Sequence, residues 1–480
     1  MKRHSRQRAV SSVPWNPLRS SIDYGDWVSR LWTLWWTRSS GHTSIDAARR
    51  RRFDALVSFS RAHSRFYRGL YHGFPEEVSG QTRLPAVTKP MLMARFDDWV
   101  TDRAITRTGV ESFLIDRTHI GERYLDRYIV WKSSGTTGEP GVFVQDDEAL
   151  GVYDALIASQ LATPLLAGRC AWGAFVGGGR AALIAATGDH FASIASWERV
   201  CHANPWTNAR GFSVMQPLPE LVESLNAYQP AFLAGYPTVL SLLAEERSAG
   251  RLRITPVLLW SGGEYLSTTV ARDIERAFNC PLINEYGASE CMSIAFSCRE
   301  GWLHINADWV MLEGVDADYR PVPPGEASAT VLLTNLANRV QPVIRYDLGD
   351  SVIAKPDPCT CGNPLPAIQV EGRRDDVVAL RAPDGHVVRL LPLALSTIIE
   401  DALLVHHFQL VQTGADQLHL RLDIEGGPVK DAAWRAASQA LHAYLVNQSL
   451  PNVRVVLDRH HPVPDTRSGK LREVVVATRA

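Results

Sequence analysis

PAFLAGYPTVLSLLAEERSAGRLRITPVLLWSGGEYLSTTVARDIERAFNCPLINEYGASE, residues 230–290, carries the pattern that decides the fold. Three short apolar runs, PAFLAGY (230–236), PVLLWSGGE (256–264) and PLINEYGASE (281–290), read as strands, the last running into a loop. Between them TVLSLLAEERSAG (238–250), stopped by Gly250, and TTVARDIERAFN (268–279) read as helices. Working outward, CAWGAFVGG (170–178) adds a strand and LPELVESLNAY (218–228) a helix. Strand, helix, strand at this pace predicts an α/β fold, a parallel or mixed sheet with crossover helices. Ligands of such sheets sit beyond the carboxyl ends of the strands, where SGGE and YGASE lie.

The texture changes near residue 355. KPDPCTCGNPLP (355–366) reads as a turn-rich connector, and EGRRDD (371–376) as a boundary. Then come a hairpin, VVALRAPDGHVVRL, turning at Asp384-Gly385, a helix (392–402), strands (407–412 and 417–424), a helix (431–447), a strand (453–458) and a tail. This predicts a large N-terminal domain, 1–371, and a small α+β domain, 372–480. Towards the N-terminus, residues 45–72 have helical spacing, and WVSRLWTLWW (27–36) predicts an amphipathic helix packed on the body, with contact to a membrane or partner the alternative. Asp23, Asp26 and Arg30 interrupt the apolar segment that a signal peptide needs.

Fifty Lys and Arg against fifty-one Asp and Glu, a net charge of −1, exclude a generally basic nucleic-acid binder and an acidic disordered chain. No apolar run approaches the ~18 to 20 residues of a membrane span. Seven scattered cysteines argue against a disulfide framework and for a reducing, cytoplasmic setting.

Ser133-Ser134-Gly135-Thr136-Thr137-Gly138-Glu139-Pro140-Gly141 concentrates hydroxyls and glycines as a phosphate cradle does, without the Gly-Lys-Ser/Thr of a P-loop; alone, it also suits a surface turn. Further along stand Glu285-Tyr286-Gly287-Ala288-Ser289-Glu290, then Arg345-Tyr346-Asp347-Leu348-Gly349-Asp350, Gly372-Arg373-Arg374-Asp375-Asp376, and Ser468-Gly469-Lys470. Only six lysines occur in the chain, which makes Lys470 in that motif informative. Separately, Cys298-x5-His304 and Cys359-x-Cys361 supply three thiols and an imidazole, the usual ligands of a closed structural zinc; free cysteines in a turn are the alternative. Cys170, Cys201, Cys280 and Cys291 read as small core residues.

In order and spacing the five motifs resemble the adenylate-forming superfamily of acyl- and aryl-CoA ligases, carrier-protein adenylation domains and luciferases. HSRFYRGL (63–70) and LPAVTKPML (84–92) resemble its phenylacetate-CoA ligase branch, whose members have similar cysteines and histidine. The resemblance implies AMP-forming activation of a carboxylic acid, expected to be aromatic, through an acyl-adenylate, then transfer to a thiol, with coenzyme A the default acceptor. It implies that Ser133, Ser134, Gly135, Thr136, Thr137 and Gly138 hold the ATP phosphates, and that Gly262, Gly263 and Glu264 form the adenine-side loop. Tyr286, with Gly287, would stack on adenine, Ser289 bond the α-phosphate, Glu290 ligate Mg²⁺ and Asp350 take the ribose hydroxyls. Arg373 would reach the ribose or phosphate side, Asp375 would be the hinge (within 372–376) of a mobile C-terminal domain, and Lys470 the mobile catalytic lysine. Glu139 departs from the family, which usually has lysine there. Gly235, Tyr236 and Trp260 would face the acid pocket, or be ordinary core. CoA-using relatives have a glycine-containing segment after the hinge; the bulkier Val378–His386 stretch leaves a carrier protein, an amine or another nucleophile open as acceptor, and a non-catalytic nucleotide-binding protein is the reading from another class.

Overall fold

The computed structural model describes residues 24–75, 84–133, 140–166, 179–203, 208–371, 378–403, 408–463 and 472–477. Strands β1 (Ile129–Lys132) and β2 (Val142–Gln145) form an antiparallel hairpin. Strands β3 (Ala181–Ala185), β4 (Ala209–Ser213), β5 (Phe232–Gly235), β6 (Leu258–Gly262) and β7 (Leu282–Ala288) are mutually parallel. Helices Ala192–Ala203, Leu218–Tyr228, Pro237–Ser248 and Thr268–Phe278 cross between them in turn. β8 (Cys291–Ser297) and β9 (Leu303–Ile305) continue antiparallel. β10 (Val310–Val315), β11 (Thr330–Asn335) and β12 (Val343–Asp347) make a separate antiparallel sheet. β13 (Ser351–Ala354) and β14 (Ala367–Glu371) return to complete a nine-stranded mixed sheet in the order β13-β14-β9-β8-β7-β6-β5-β3-β4.

The elements end where their sequences stop them. The helix Pro237–Ser248 starts on a proline suited to the first turn, and Gly250 follows its end at φ +75°. Thr268–Phe278 is capped by Ser267, whose Oγ accepts from the Val270 amide (3.3 Å), and closes on a left-handed Asn279. The run 170–178 lies outside the described residues.

After residue 378 the chain builds its own core from Val378, Leu380, Leu395, Ile399, Phe408, Leu420, Leu441 and others. The hairpin β15 (Val378–Arg381) and β16 (Val387–Leu390) turns at Gly385, φ +92°. β17 (Phe408–Gly414), β18 (Gln417–Leu422) and β19 (Arg454–Leu457) form a sheet with the helices Pro392–Leu403 and Pro428–Asn447. The tail is corrected here: Val474–Val476 is a strand, β20, parallel to β17 with Leu410 opposite Val474. Leu391 and Ala394 pack into the core of the crossover helices, and Arg117 pairs with Asp401 at 3.0 Å.

Helix α1 (Tyr24–Ser39) packs on the body as expected, but not through its tryptophans. Leu34 and Thr37 pack inward, but Trp32, Trp35 and Trp36 face water. Helix α2 (His42–His63) follows, buried through Ile45, Phe53, Leu56 and Val57. Among the described residues no helix is long and apolar enough to cross a membrane.

Candidate active site

The centre of the site is a tight turn rather than the loop expected from sequence. β7 runs through Ala288, and only Ser289 and Glu290 separate it from β8. Gly287 sits at the register shift between the strands; a Cβ there would fall 1.9 Å from the Met292 carbonyl oxygen, so only glycine fits. The Trp131 indole donates to the Ser289 carbonyl (2.8 Å), and the Asn335 amide to that of Glu290 (3.0 Å). These two anchors hold the turn from β1 and β11.

Glu290 is buried and its Oε1 accepts a 2.6 Å hydrogen bond from the Tyr346 hydroxyl. Burial raises its pKa, opposed by the Tyr346 bond and the charge of Lys89, and Asp350 adds to the rise. Burial in turn lowers the pKa of Lys89, opposed by Glu290. Asp350 Oδ2 accepts from the Tyr286 hydroxyl at 2.8 Å. The turn therefore gathers Glu290, Asp350, Lys89 and two tyrosine hydroxyls, a set able to bind a hard cation together with anionic oxygens.

Lys89 had been noticed only inside LPAVTKPML. The backbone of Val87 bonds on both sides to β12, from its amide to the Arg345 carbonyl (3.0 Å) and from the Asp347 amide to its own carbonyl (2.9 Å). That pairing brings Lys89 close enough for its charge to act on Glu290. It also lays the lysine arm against Gly141, where a Cβ would come within 3.3 Å of the Lys89 Cδ. The rarity of lysine was the one available signal.

Ser133 closes the base of the Ser/Thr/Gly loop. Its amide donates to the Gly141 carbonyl and the Gly141 amide to its Oγ, both at 2.8 Å. Ser134, Gly135, Thr136, Thr137, Gly138 and Glu139 lie outside the described residues, as do Arg373, Asp375 and Lys470. Lys132, beside Ser133, is ion-paired with Asp189.

Gly262 ends β6 opposite Glu285. Gly263 has φ +81°, and a Cβ there would press within 2.9 Å of the Tyr236 ring, so the turn needs glycine twice over. The Glu264 carboxylate caps the helix Pro237–Ser248 by accepting from the Thr238 amide (3.1 Å) and hydroxyl (2.8 Å), a holding role for a residue expected on the adenine side. Gly235 is buried, and Tyr236 half-buried. Trp260 is half-buried against Phe296, and its indole donates to Glu285 Oε2 at 2.9 Å. Ser293 donates to Glu285 Oε1 at 2.7 Å, and burial pushes that carboxyl up to about 7. The wall expected to be aromatic thus contains an acid that sequence reading passed over.

At the far edge of the sheet the Sγ atoms of Cys298, Cys359 and Cys361 and a ring nitrogen of His304 lie within 4.8 Å of one another. Cys298 and Cys359 sulfurs are 3.8 Å apart, and Cys361 Sγ is 3.3 Å from His304 Nε2. Bonds of about 2.3 Å at the tetrahedral angle set sulfurs about 3.8 Å apart, so the set fits zinc. His304 Nδ1 lies 2.7 Å from the Leu365 carbonyl, which fixes the tautomer that frees Nε2. Of the other cysteines, Cys280 and Cys291 are buried, Cys201 partly so, and Cys170 is outside the described residues.

No family model matches the chain. Over 379 residues it is 25% identical to phenylacetate-coenzyme A ligase of Thermus thermophilus, covering 72% of this chain and 80% of that one. It is 30% identical to protein CapK of Staphylococcus aureus over 133 residues, 27% of this chain and only 28% of CapK. Among solved structures it is similar to 2-hydroxyisobutyryl-CoA ligase bound to 2-HIB-AMP and CoA in the thioesterification state, with a TM-score of 0.54, 20% identity and coverage of 91% and 90%. The chain shares the fold of this CoA ligase. In sequence it is similar to phenylacetate-coenzyme A ligase.

Proposed function

We propose that the protein activates a carboxylic acid, aromatic by expectation, with ATP through an acyl-adenylate, and then passes the acyl group to a thiol. The observation that carries this is the buried Glu290 at the β7–β8 turn, faced by Lys89, Tyr346 and Asp350. In this reading Glu290 holds Mg²⁺, a Lewis acid that draws charge from the phosphate oxygens when bound. Ser289 and the 133–138 loop take the phosphates, and Lys89 supplies the cation that the loop lacks at Glu139. Asp350, oriented by Tyr286, receives the ribose. Lys470 is the catalytic cation of a C-terminal domain, 372–480, turning about Asp375. Cys298, His304, Cys359 and Cys361 hold a structural zinc that fastens the connector to the sheet edge.

Coenzyme A is the default acceptor, in keeping with what the phenylacetate-coenzyme A ligase relative uses by name. A second reading, a carrier protein or amine, is favoured by the β15–β16 hairpin, whose Val378, Leu380 and Ala382 are buried in the C-terminal core and leave little freedom to rearrange. Pyrophosphate release across a panel of aryl and alkyl acids, with and without CoA and with products weighed by mass spectrometry, separates these. Acid-dependent pyrophosphate is expected. ATP binding with no pyrophosphate from any acid would make the chain a nucleotide-binding protein instead.

A further inference from the structure

Helix α1 has two faces, and the body of the protein uses one. On that side Leu34 and Thr37 are buried and Arg38 reaches Asp308 at 2.9 Å. On the other, Val28, Trp32, Trp35 and Trp36 recur at i, i+4, i+7 and i+8, a single helical stripe. The three tryptophans are 62, 56 and 60% exposed, and their rings gather with centroids 5.2 to 6.5 Å apart. An aromatic stripe turned to water gives the monomer no stability, and contiguous patches of this kind mark interaction sites.

Charge says what covers it. The first 63 residues contain twelve Lys and Arg against four Asp and Glu, in a chain whose totals are 50 and 51. Arg50 and Arg51, on the adjoining helix α2, are exposed. We propose that α1 docks on an anionic membrane surface, lying in the interface with Trp32, Trp35 and Trp36 at headgroup depth and the neighbouring arginines on lipid phosphates. Tryptophan favours that depth because its ring is apolar and its N–H polar. Apolar stripe and basic flank together make an interfacial helix, and each arginine near an anionic leaflet is worth roughly fivefold in partition. A second copy of the chain would set this basic flank against another basic flank, and a nucleic acid leaves Val28 and the continuous stripe without a function.

The full chain is sedimented with vesicles of phosphatidylcholine alone and of phosphatidylcholine with phosphatidylglycerol, and its tryptophan emission is recorded. The expected result is at least tenfold stronger partition into the anionic vesicles, with a blue shift. Combined Trp32→Ser, Trp35→Ser and Trp36→Ser, or Arg50→Glu with Arg51→Glu, should each cut partition tenfold or more at unchanged melting temperature, since these side chains face water. Equal binding to both vesicles, or to neither, overturns the proposal. So does a concentration-dependent dimer in light scattering that the tryptophan variant abolishes, or tighter binding to RNA than to anionic vesicles.

Discussion

Replacing Tyr346 by phenylalanine tests the centre of the site while leaving Glu290, Lys89 and Asp350 in place. The variant deletes one hydroxyl, the donor of the 2.6 Å bond to Glu290 Oε1. A hydrogen bond to a charged group contributes about 1.5 to 3 kcal/mol, so losing it should push Glu290 further up. The sign follows from the balance at this carboxyl: burial already raises it, and Tyr346 and Lys89 hold it down. Removing Tyr346 lets burial gain, so a smaller fraction of Glu290 is ionised at a given pH. Mg²⁺ needs the ionised form, and its half-saturation in pyrophosphate release should increase about 10- to 100-fold, as for other partners of metal ligands. The acid limb of the pH profile should move to higher pH. The stability cost should grow as pH rises, because it is the charged carboxylate that loses its donor. A folded variant with unchanged Mg²⁺ half-saturation and an unmoved acid limb would refute the placing of the cation on Glu290.

Lys89→Met should lower the rate of pyrophosphate release about 10²- to 10³-fold, the effect of one lost electrostatic stabiliser, while leaving thioester formation from supplied acyl-adenylate intact. Lys470→Ala should show the same split in single-turnover assays; loss of the second step instead would assign it to transfer. Purified protein should carry one zinc per chain by elemental analysis, and Cys361→Ser should lose metal and melting temperature together, since binding energy at such a site is folding energy. Burial pushes Glu285 up to about 7, so charging it costs stability as pH climbs from the ordinary carboxylate range towards 7. Glu285→Gln should therefore melt higher than the parent above pH 7 and alike below pH 4.

What could be read in advance was local. The helices at 218–228 and 268–278 follow from periodicity and from caps such as Ser267 and Asn279, which act within a few residues. What could not be read depends on register between distant segments. Val474–Val476 is three residues long and becomes a strand only because β17 offers an open edge. Lys89 reaches Glu290 because Val87 pairs beside Tyr346. Glu285 was quoted as a motif letter, and only the closeness of Trp260 and Ser293 marks it as a buried acid. The tryptophans of α1 were assigned to packing because apolarity alone cannot tell which of two faces meets the body.

The same long-range logic bears on Glu400. The Arg472 carbonyl accepts from the Gln409 side chain at 3.0 Å, and Glu473 is buried next to it. Glu400, on the helix Pro392–Leu403, is pushed up to about 9, first by burial and then by the charge of Glu473, with Lys132 opposing. Lys132 is already paired with Asp189, and a proton retained on Glu400 relieves the repulsion from Glu473. Glu400→Gln, which keeps the shape and removes the charge, should leave the melting temperature near pH 7 unchanged, whereas Glu400→Lys should lower it through repulsion of Lys132.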